Sequence, residues 1–329
     1  MNDFLNFNPD LPERVSFVGT LQIAWDSTSI GYLKECPYKY YLAIVAGIVP
    51  MGESVHLKFG LLYHGALEEY EKARARGETR DDAIASAVHY CLVNSWEPRL
   101  NRGWVSGHET KNRFTLVRTV VDYLDTFNDQ TDSLRTILLP NGKPATELSF
   151  NFKTNYVTPF GYPYKLCGHL DKVVKERDDF ENPEADLHIL DHKTTSMPLN
   201  TGYWNQYNPN NQVSHYYHSG QIIFKTRVRD FIIDAARITA NADEFERRSI
   251  PRTESQLEEW YKDLGCWIAM AEAYSQQNYW PKNEKSCVKG FITCEYIGIC
   301  QNCPSTRKLW SGSGFGKRSW DPMRIRGEE

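Results

Sequence analysis

No stretch of 18 or more apolar residues occurs in the 329-residue chain, so no helix long enough to span a membrane is expected. The first stretch, MNDFLNFNPDLPER, has neither a basic head nor an apolar run. No secretory leader is expected there, and a reducing cytoplasm is the expected compartment. Internal repeats and low-complexity linkers are also missing, which points to one compact unit rather than separable domains. Positive charge is not in excess: the formal net charge is −4, which argues against a basic coat for nucleic acid. The balance is uneven, however. Residues 304–329 carry Arg307, Lys308, Lys317, Arg318, Arg324 and Arg326 against Asp321, Glu328 and Glu329, net +3, leaving −7 for the rest. This basic tail is compatible with phosphate contact, though a solvated face is the commoner explanation. The tail's SGSGFGKRSW lacks what a phosphate loop needs: Ser311 stands at the first glycine position and Arg318 where Ser or Thr should follow. No other ATPase signature is present, so no built-in motor is expected.

Cysteine is plentiful, with eight residues. In a reducing compartment these suggest thiols or metal ligands rather than a disulfide frame. Four crowd the stretch SCVKGFITCEYIGICQNC: Cys287, Cys294, Cys300 and Cys303. Zinc takes four ligands, commonly as two close pairs, and only Cys300 and Cys303 form such a pair. An iron–sulfur cluster also needs four thiolates and tolerates wider spacing. Cys91, Cys167 and Cys266 read most simply as buried thiols.

The order of elements is informative. Asp26, Ser27 and Thr28 open a helical stretch that Pro37 bends or breaks. FGLLYHGALEEYEKARARGE places Leu62, Ala66, Leu67 and Tyr70 on one helical side, with Gly77 near the stop. Residues 81–96 and 112–127 also carry helical periods, so residues 1–140 are expected to be mainly helical. The pattern then changes. TELSFNFKTNYV alternates as a half-buried strand does, YKLCGHLDKVVKE is a second strand and DLHILDHKT a short third. NNQVSHYYHSGQIIFK reads as a crossover helix, RDFIIDAARIT as another strand and residues 253–278 as a long helix. The expected fold is therefore a mixed α/β core sheet over residues 141–280, flanked by helices, with a C-terminal cysteine cluster and basic tail over 281–329.

The ends of the second and third strands carry the chemistry. The second holds GHLD, ending in Asp171, and the third holds LDHK. Alternation puts Asp191 and Lys193 on one face, about 6.6 Å apart along the strand, with His192 on the other. Two carboxylates can bind a hard divalent cation such as Mg²⁺ or Mn²⁺, which polarises a phosphate and acidifies a water. A lysine beside them supplies charge where a phosphoryl transition state gathers negative charge. The competing reading of DHK alone is a surface pair at a strand end. Glu147 could supply another carboxylate, although a solvated strand end is the simpler reading. Tyr203, Trp204 and Tyr207 could stack on unpaired bases or pack a loop onto the core. Arg247, Arg248 and Arg252 could form a phosphate patch, although a solvated face is the simpler reading.

Four motifs in order carry a resemblance: FGLLYHGALEEY, GHLDKV, ILDHKTTS and QVSHY. Together they resemble the PD-(D/E)XK nuclease superfamily, in particular its RecB-like branch, which includes CRISPR-associated RecB-like exonucleases and the AddB nuclease domain. The resemblance spans about residues 26–303 and implies a restriction-endonuclease-like core. It implies a deoxyribonuclease, specifically an exonuclease on DNA ends or single strands, in recombination, repair or DNA processing. Protein partners in a recombination, repair or CRISPR-type complex are compatible with it. It makes His64, Asp171 and Asp191 ligands of Mg²⁺ or Mn²⁺, with the backbone carbonyl of His192 as a further ligand. Lys193 becomes the catalytic lysine, and Gln212 and Tyr216, one helical turn apart, contact DNA or brace the site. The middle D-x-K position, more often apolar or aromatic in such proteins, is His192 here. The branch with iron–sulfur clusters takes one cysteine from an upstream helix and three from a C-terminal cluster. That implies Cys36, Cys287, Cys294 and Cys300 around a [4Fe–4S] cluster. Cys303 remains an alternative fourth ligand and zinc an alternative metal.

Overall fold

The computed structural model describes residues 15–52, 54–225, 227–290, 292–307, 309, 312 and 314–324. The stretch read for a leader, Lys308 and Arg326 of the basic tail, and Ser311 of the glycine-rich segment lie outside them. The elements used below run in chain order. They are β1 (Ala24–Trp25), α1 (Ser27–Glu35), α2 (Pro37–Tyr40), β2 (Ile48–Pro50), α3 (Val55–Ala75), α4 (Arg80–Asn94) and α5 (Arg113–Thr126). There follow β3 (Leu134–Thr136), β4 (Thr146–Val157), β5 (Pro163–Glu176), β6 (Leu187–Thr195), α6 (Thr201–Asn205) and α7 (Asn211–Phe224). The last are β7 (Val228–Ile238), β8 (Asp243–Ile250), α8 (Glu254–Gln277), α9 (Ile297–Gln301) and β9 (Phe315–Lys317). No helix among the described residues is long and apolar enough to cross a membrane.

The residues cluster into two compact units. One comprises the described parts of Met1–Gly52, Ser149–Gly168 and Thr253–Glu329; the other Glu53–Leu148 and His169–Arg252. The sequence reads as a single unit because two of the crossings fall inside strands β4 and β5, where they leave no linker-like composition.

The second unit holds a mixed sheet in the order β8-β7-β6-β5, with β3 also paired to β5. β6 and β7 are parallel, with Asp191 opposite Ile233 and Lys193 opposite Ala235, and α7 makes the crossover between them. β7 and β8 are antiparallel from Ile238↔Asp243 to Phe231↔Ile250. A core of Phe59, Tyr63, Leu67, Leu116, Val120 and Ile238 packs α3, α4 and α5 against one side of β7. α7 begins at the cap Asn210, whose side chain accepts from Val213 N. It then runs close to β6: a Cβ added at Gly220 would collide with the end of the Ile189 side chain, so glycine lets the two approach without repacking. The sheet with helices on it is the mixed α/β architecture expected from the alternation and helical periods.

In the first unit, Trp25, Leu33, Tyr40, Leu166, Leu264, Ile268 and Trp280 form one buried cluster. β1 pairs in parallel with the start of β5, at Ala24↔Lys165 and Trp25↔Leu166. The capping box of Asp26 and Ser29 starts α1. Pro37 prevents continuation of α1, so Cys36 takes an extended conformation (φ −162°) between α1 and α2. A single turn of π-helix, Tyr41–Val45, follows.

One open reading of side chains is decided and two expectations need correction. Tyr203, Trp204 and Tyr207 are buried, with the Tyr207 hydroxyl donating to that of Tyr203 at 3.1 Å; they pack a loop and present no stacking surface. Arg252 is buried and donates to Tyr207 O and Ser214 Oγ, so it braces the start of α7. Arg247 is largely buried on β8 and ion-paired (below), leaving only Arg248 of the three exposed. Cys91 and Cys167 are buried thiols as expected, but Cys266 is exposed on α8.

Candidate metal centre

The site sits where β5 and β6 part. Their antiparallel ladder runs from His188↔Val174 to Leu190↔Lys172 and then stops. The next residues along are Asp191 and Asp171, and the Asp171 carboxylate takes over from the ladder: its Oδ2 accepts from His192 N at 3.1 Å. Strand divergence thus frees the room that two carboxylates need, and one of them is aimed by a backbone N–H.

α3 brings His64 to the same point. Its Nδ1 lies 3.2 Å from Asp171 Oδ2 and 4.0 Å from Glu147 Oε1. One donor atom from each of His64, Glu147 and Asp171 falls within 4.8 Å of the other two. Glu147 is therefore not a solvated strand end: it is buried at the start of β4. Its backbone is left-handed (φ 49°), a conformation unfavourable for a residue with a Cβ and concentrated at functional sites. The sequence carried one signal for it, a carboxylate entering a strand that alternates apolar residues.

Asp191 is almost wholly buried at 1% exposure. Its Oδ2 pairs with the Lys193 ammonium, and its Oδ1 accepts from Gln212 Nε2 at 3.3 Å. Gln212 reaches it from the first turn of α7, so the Q-x-x-x-Y helix braces the acid. Tyr216, one turn on, is buried with its ring 6.3 Å from Phe231. Burial pushes the Asp191 carboxyl up; Lys193 opposes this and the charge of Asp171 adds to it. Burial also disfavours the Lys193 ammonium, but Asp191 and Asp171 outweigh it and hold the lysine above its ordinary value. Lys193 is thus charged throughout the neutral range. His192 points to the other face of β6, where its Nδ1 lies 3.4 Å from Asp234 Oδ2.

The donor set that the structure brings together, His64, Glu147 and Asp171, is two carboxylates and one imidazole; Asp191, expected as a ligand, lies outside it and is paired with Lys193 instead. Oxygen-rich donors of this kind fit Mg²⁺ or Mn²⁺ better than a thiophilic metal. The arrangement offers a negative pocket for a cation with a fixed positive charge beside it, as phosphoester hydrolysis demands.

The cysteines form a separate site, within the first unit. Cys36, Cys287, Cys294 and Cys300 line one recess, with Lys39, Lys282, Asn283 and Ser286 around them; Cys303 is exposed and not part of its lining. Two segments distant in sequence are tied there by hydrogen bonds: Ser286 Oγ and Asn283 Nδ2 both donate to Glu35 O, at 2.6 and 2.9 Å. Asn283 N donates to Cys36 Sγ at 3.3 Å, and Cys294 N to Cys287 O at 2.8 Å. Among the described residues, no three cysteine sulfurs lie within 4.8 Å of one another.

No curated protein matches the chain. Among solved structures, it is similar to one described as a "Putative exonuclease" from Eubacterium rectale, with 10% identity and a TM-score of 0.45, over 85% of this chain and 94% of that one. It is also similar to SSO0001, with 13% identity and a TM-score of 0.27, over 77% of this chain and 97% of that one. A family model, that of the PD-(D/E)XK nuclease superfamily, matches residues 27–301 and so takes in both the metal centre and Cys36, Cys287, Cys294 and Cys300. The chain is a member of the PD-(D/E)XK nuclease superfamily.

Proposed function

We propose that the protein is a divalent-metal-dependent deoxyribonuclease of the RecB-like branch, acting as an exonuclease on DNA ends or single strands. The observation that carries this is the gathering of His64, Glu147 and Asp171, whose donor atoms lie within 4.8 Å of one another where β5 and β6 part, next along the strands to the paired Asp191 and Lys193. A bound Mg²⁺ or Mn²⁺ supplies Lewis acidity toward the phosphate and makes the attacking water more acidic. The protein's own groups do the rest. His64, Glu147, Asp171 and Asp191, with the carbonyl of His192, are the residues that would hold the cation. Lys193 places a fixed charge against the phosphate as negative charge gathers on its oxygens. Gln212 keeps Asp191 oriented. Water adds to phosphorus, one ester P–O bond breaks, and the leaving oxygen takes up a proton. Purified protein is expected to degrade DNA with Mg²⁺ or Mn²⁺ and to stop when the metal is chelated; absence of cleavage under either metal would remove the reading.

The cysteine recess is assigned, as part of the same proposal, to an iron–sulfur cluster, [4Fe–4S], held by Cys36, Cys287, Cys294 and Cys300. Zinc sites commonly use two close ligand pairs, and the one close pair here, Cys300 and Cys303, is split because Cys303 is not part of the lining; thiolates drawn from two distant segments suit the wider ligand spacing of an iron–sulfur cluster. The cluster would clamp the start of the first unit to its C-terminal segment and contribute folding free energy there. Protein purified without oxygen is expected to be brown and iron-bearing. Cys36→Ser should lose the iron, while Cys303→Ser should keep it. The reverse pattern would move the fourth ligand to Cys303, and a colourless protein with one zinc would eliminate the cluster.

A further inference from the structure

On the face of β6 turned away from Asp191, a buried polar chain begins at His192. Its Nδ1 approaches Asp234 Oδ2 at 3.4 Å. Asp234 in turn accepts from Tyr123 Oη at 2.5 Å and from Arg247 Nε at 3.0 Å. Arg247 continues to Asp132 Oδ1 at 2.6 Å and lies over the Phe127 ring at 3.6 Å. The His192 imidazole is buried and meets its neighbours edge-on: Tyr63 at 6.2 Å, Tyr123 at 5.6 Å and His64 at 5.8 Å, the last at 73°. Its backbone N–H is the one that aims Asp171. One residue thus touches two proposed metal ligands, the ring of His64 and the carboxylate of Asp171. Its ring faces a buried carboxylate that a guanidinium and a phenol hold in place.

We propose that His192 is a positioning residue for the metal centre. Asp234 fixes the orientation of its ring, the ring forms the wall against which His64 is set, and the strand geometry that seats this ring also presents the N–H to Asp171. Partners of this kind around metal ligands typically change affinity by about 10- to 100-fold when removed. The inference rests on the metal-dependent nuclease reading.

The test is Mn²⁺ binding measured by calorimetry on DNA-free protein, with the melting temperature recorded beside it. His192→Leu fills a similar volume and should weaken Mn²⁺ binding by about 10- to 100-fold. His192→Phe, which keeps an aromatic edge toward His64, should recover most of that loss. A role in packing alone would lower the melting temperature and leave Mn²⁺ affinity unchanged, and that result in folded His192→Leu would overturn the proposal. Should His192→Leu fail to fold, Tyr123→Phe decides the matter. It removes one hydroxyl from Asp234 and should weaken Mn²⁺ binding several-fold; wild-type affinity would again overturn the proposal. Wild-type protein that binds no Mn²⁺ and cuts no DNA would overturn the nuclease reading and this inference together. Wild-type protein that binds and cuts, with variants that bind equally well, would overturn this inference alone.

Discussion

Lys193→Ala is expected to lower metal-dependent DNA cleavage by about 10²- to 10³-fold, the usual loss when a group stabilising transition-state charge is removed. Lys193 shares a face of β6 with Asp191 and is paired to it, so its ammonium stands beside the proposed cation ligands. The two carboxylates keep it charged, and only about a quarter of the side chain meets solvent, at 28% exposure. A charge so placed weakens little by water screening and requires little reorganisation as the phosphate reacts. The substitution also leaves Asp191 without its cation. Lys193→Arg separates the two effects. It keeps a positive charge near Asp191 and should retain the fold, yet a planar guanidinium cannot occupy the same point as an ammonium. Arginine is therefore expected to remain well below wild type in turnover with a near-normal melting curve. Single-turnover cleavage with excess enzyme is the appropriate measurement. An alanine variant that cuts within threefold of wild type would show that Lys193 is not catalytic.

The largest effect on stability is expected at Arg247. Arg247→Met removes the one guanidinium that faces both Asp234 and Asp132. The Asp234 side chain has no solvent exposure, and that of Asp132 has 14%. Removing one partner of a buried pair typically costs about 3–5 kcal/mol, because the remaining charge is stranded. For a domain of this size that corresponds to a fall of about 10 °C in melting temperature. Replacing Asp234 with Asn in the same chain should recover part of it. The sign of the pH dependence follows from the carboxyl. Burial alone would raise Asp234, but Arg247, His192 and the Tyr123 hydroxyl hold it far below the usual carboxylate range. A depressed carboxyl contributes stability in full above its unfolded value of about 3.9, and the contribution fades only as pH falls below that. In Arg247→Met burial raises the stranded carboxyl, so the penalty should be larger at pH 7 than at pH 5 and shrink further in stronger acid as Asp234 is protonated. Urea unfolding at those pH values measures it, and a loss under about 1 kcal/mol would contradict the buried pair.

What could be read from the sequence was whatever is local. The alternation in TELSFNFKTNYV predicted β4, the apolar run before DHK predicted β6, and the i, i+4 spacing put Gln212 and Tyr216 on one turn of α7. The motif order was equally legible, because each motif is a few consecutive residues. What escaped depends on partners far along the chain. Arg247 looks like a solvated arginine in ERRS until β8 pairs with β7 and sets it opposite Asp234. The warning lay in Asp234 itself, a carboxylate inside the apolar run FIIDAARI, which demands a buried cation. Glu147 escaped for another reason. Its role depends on a left-handed backbone and on His64 arriving from α3, and neither is written in TEL. The aromatics of residues 203–207 were ambiguous because composition does not distinguish a face turned inward from one turned outward.

The division of the chain between its two units also sets an order in time. Residues 53–148 and 169–252, with every proposed ligand of the metal centre, are synthesised before α8 and the C-terminal cysteines. The half with the proposed metal ligands can begin to fold while α1 and α2 still await α8, the helix that completes their core. Cys36 is made about 250 residues ahead of Cys287, a delay of about 10–50 s at ordinary rates of synthesis. For that interval its thiol and the apolar side of α1 stand uncovered in the nascent chain. A truncated message would be felt first in that late-closing half.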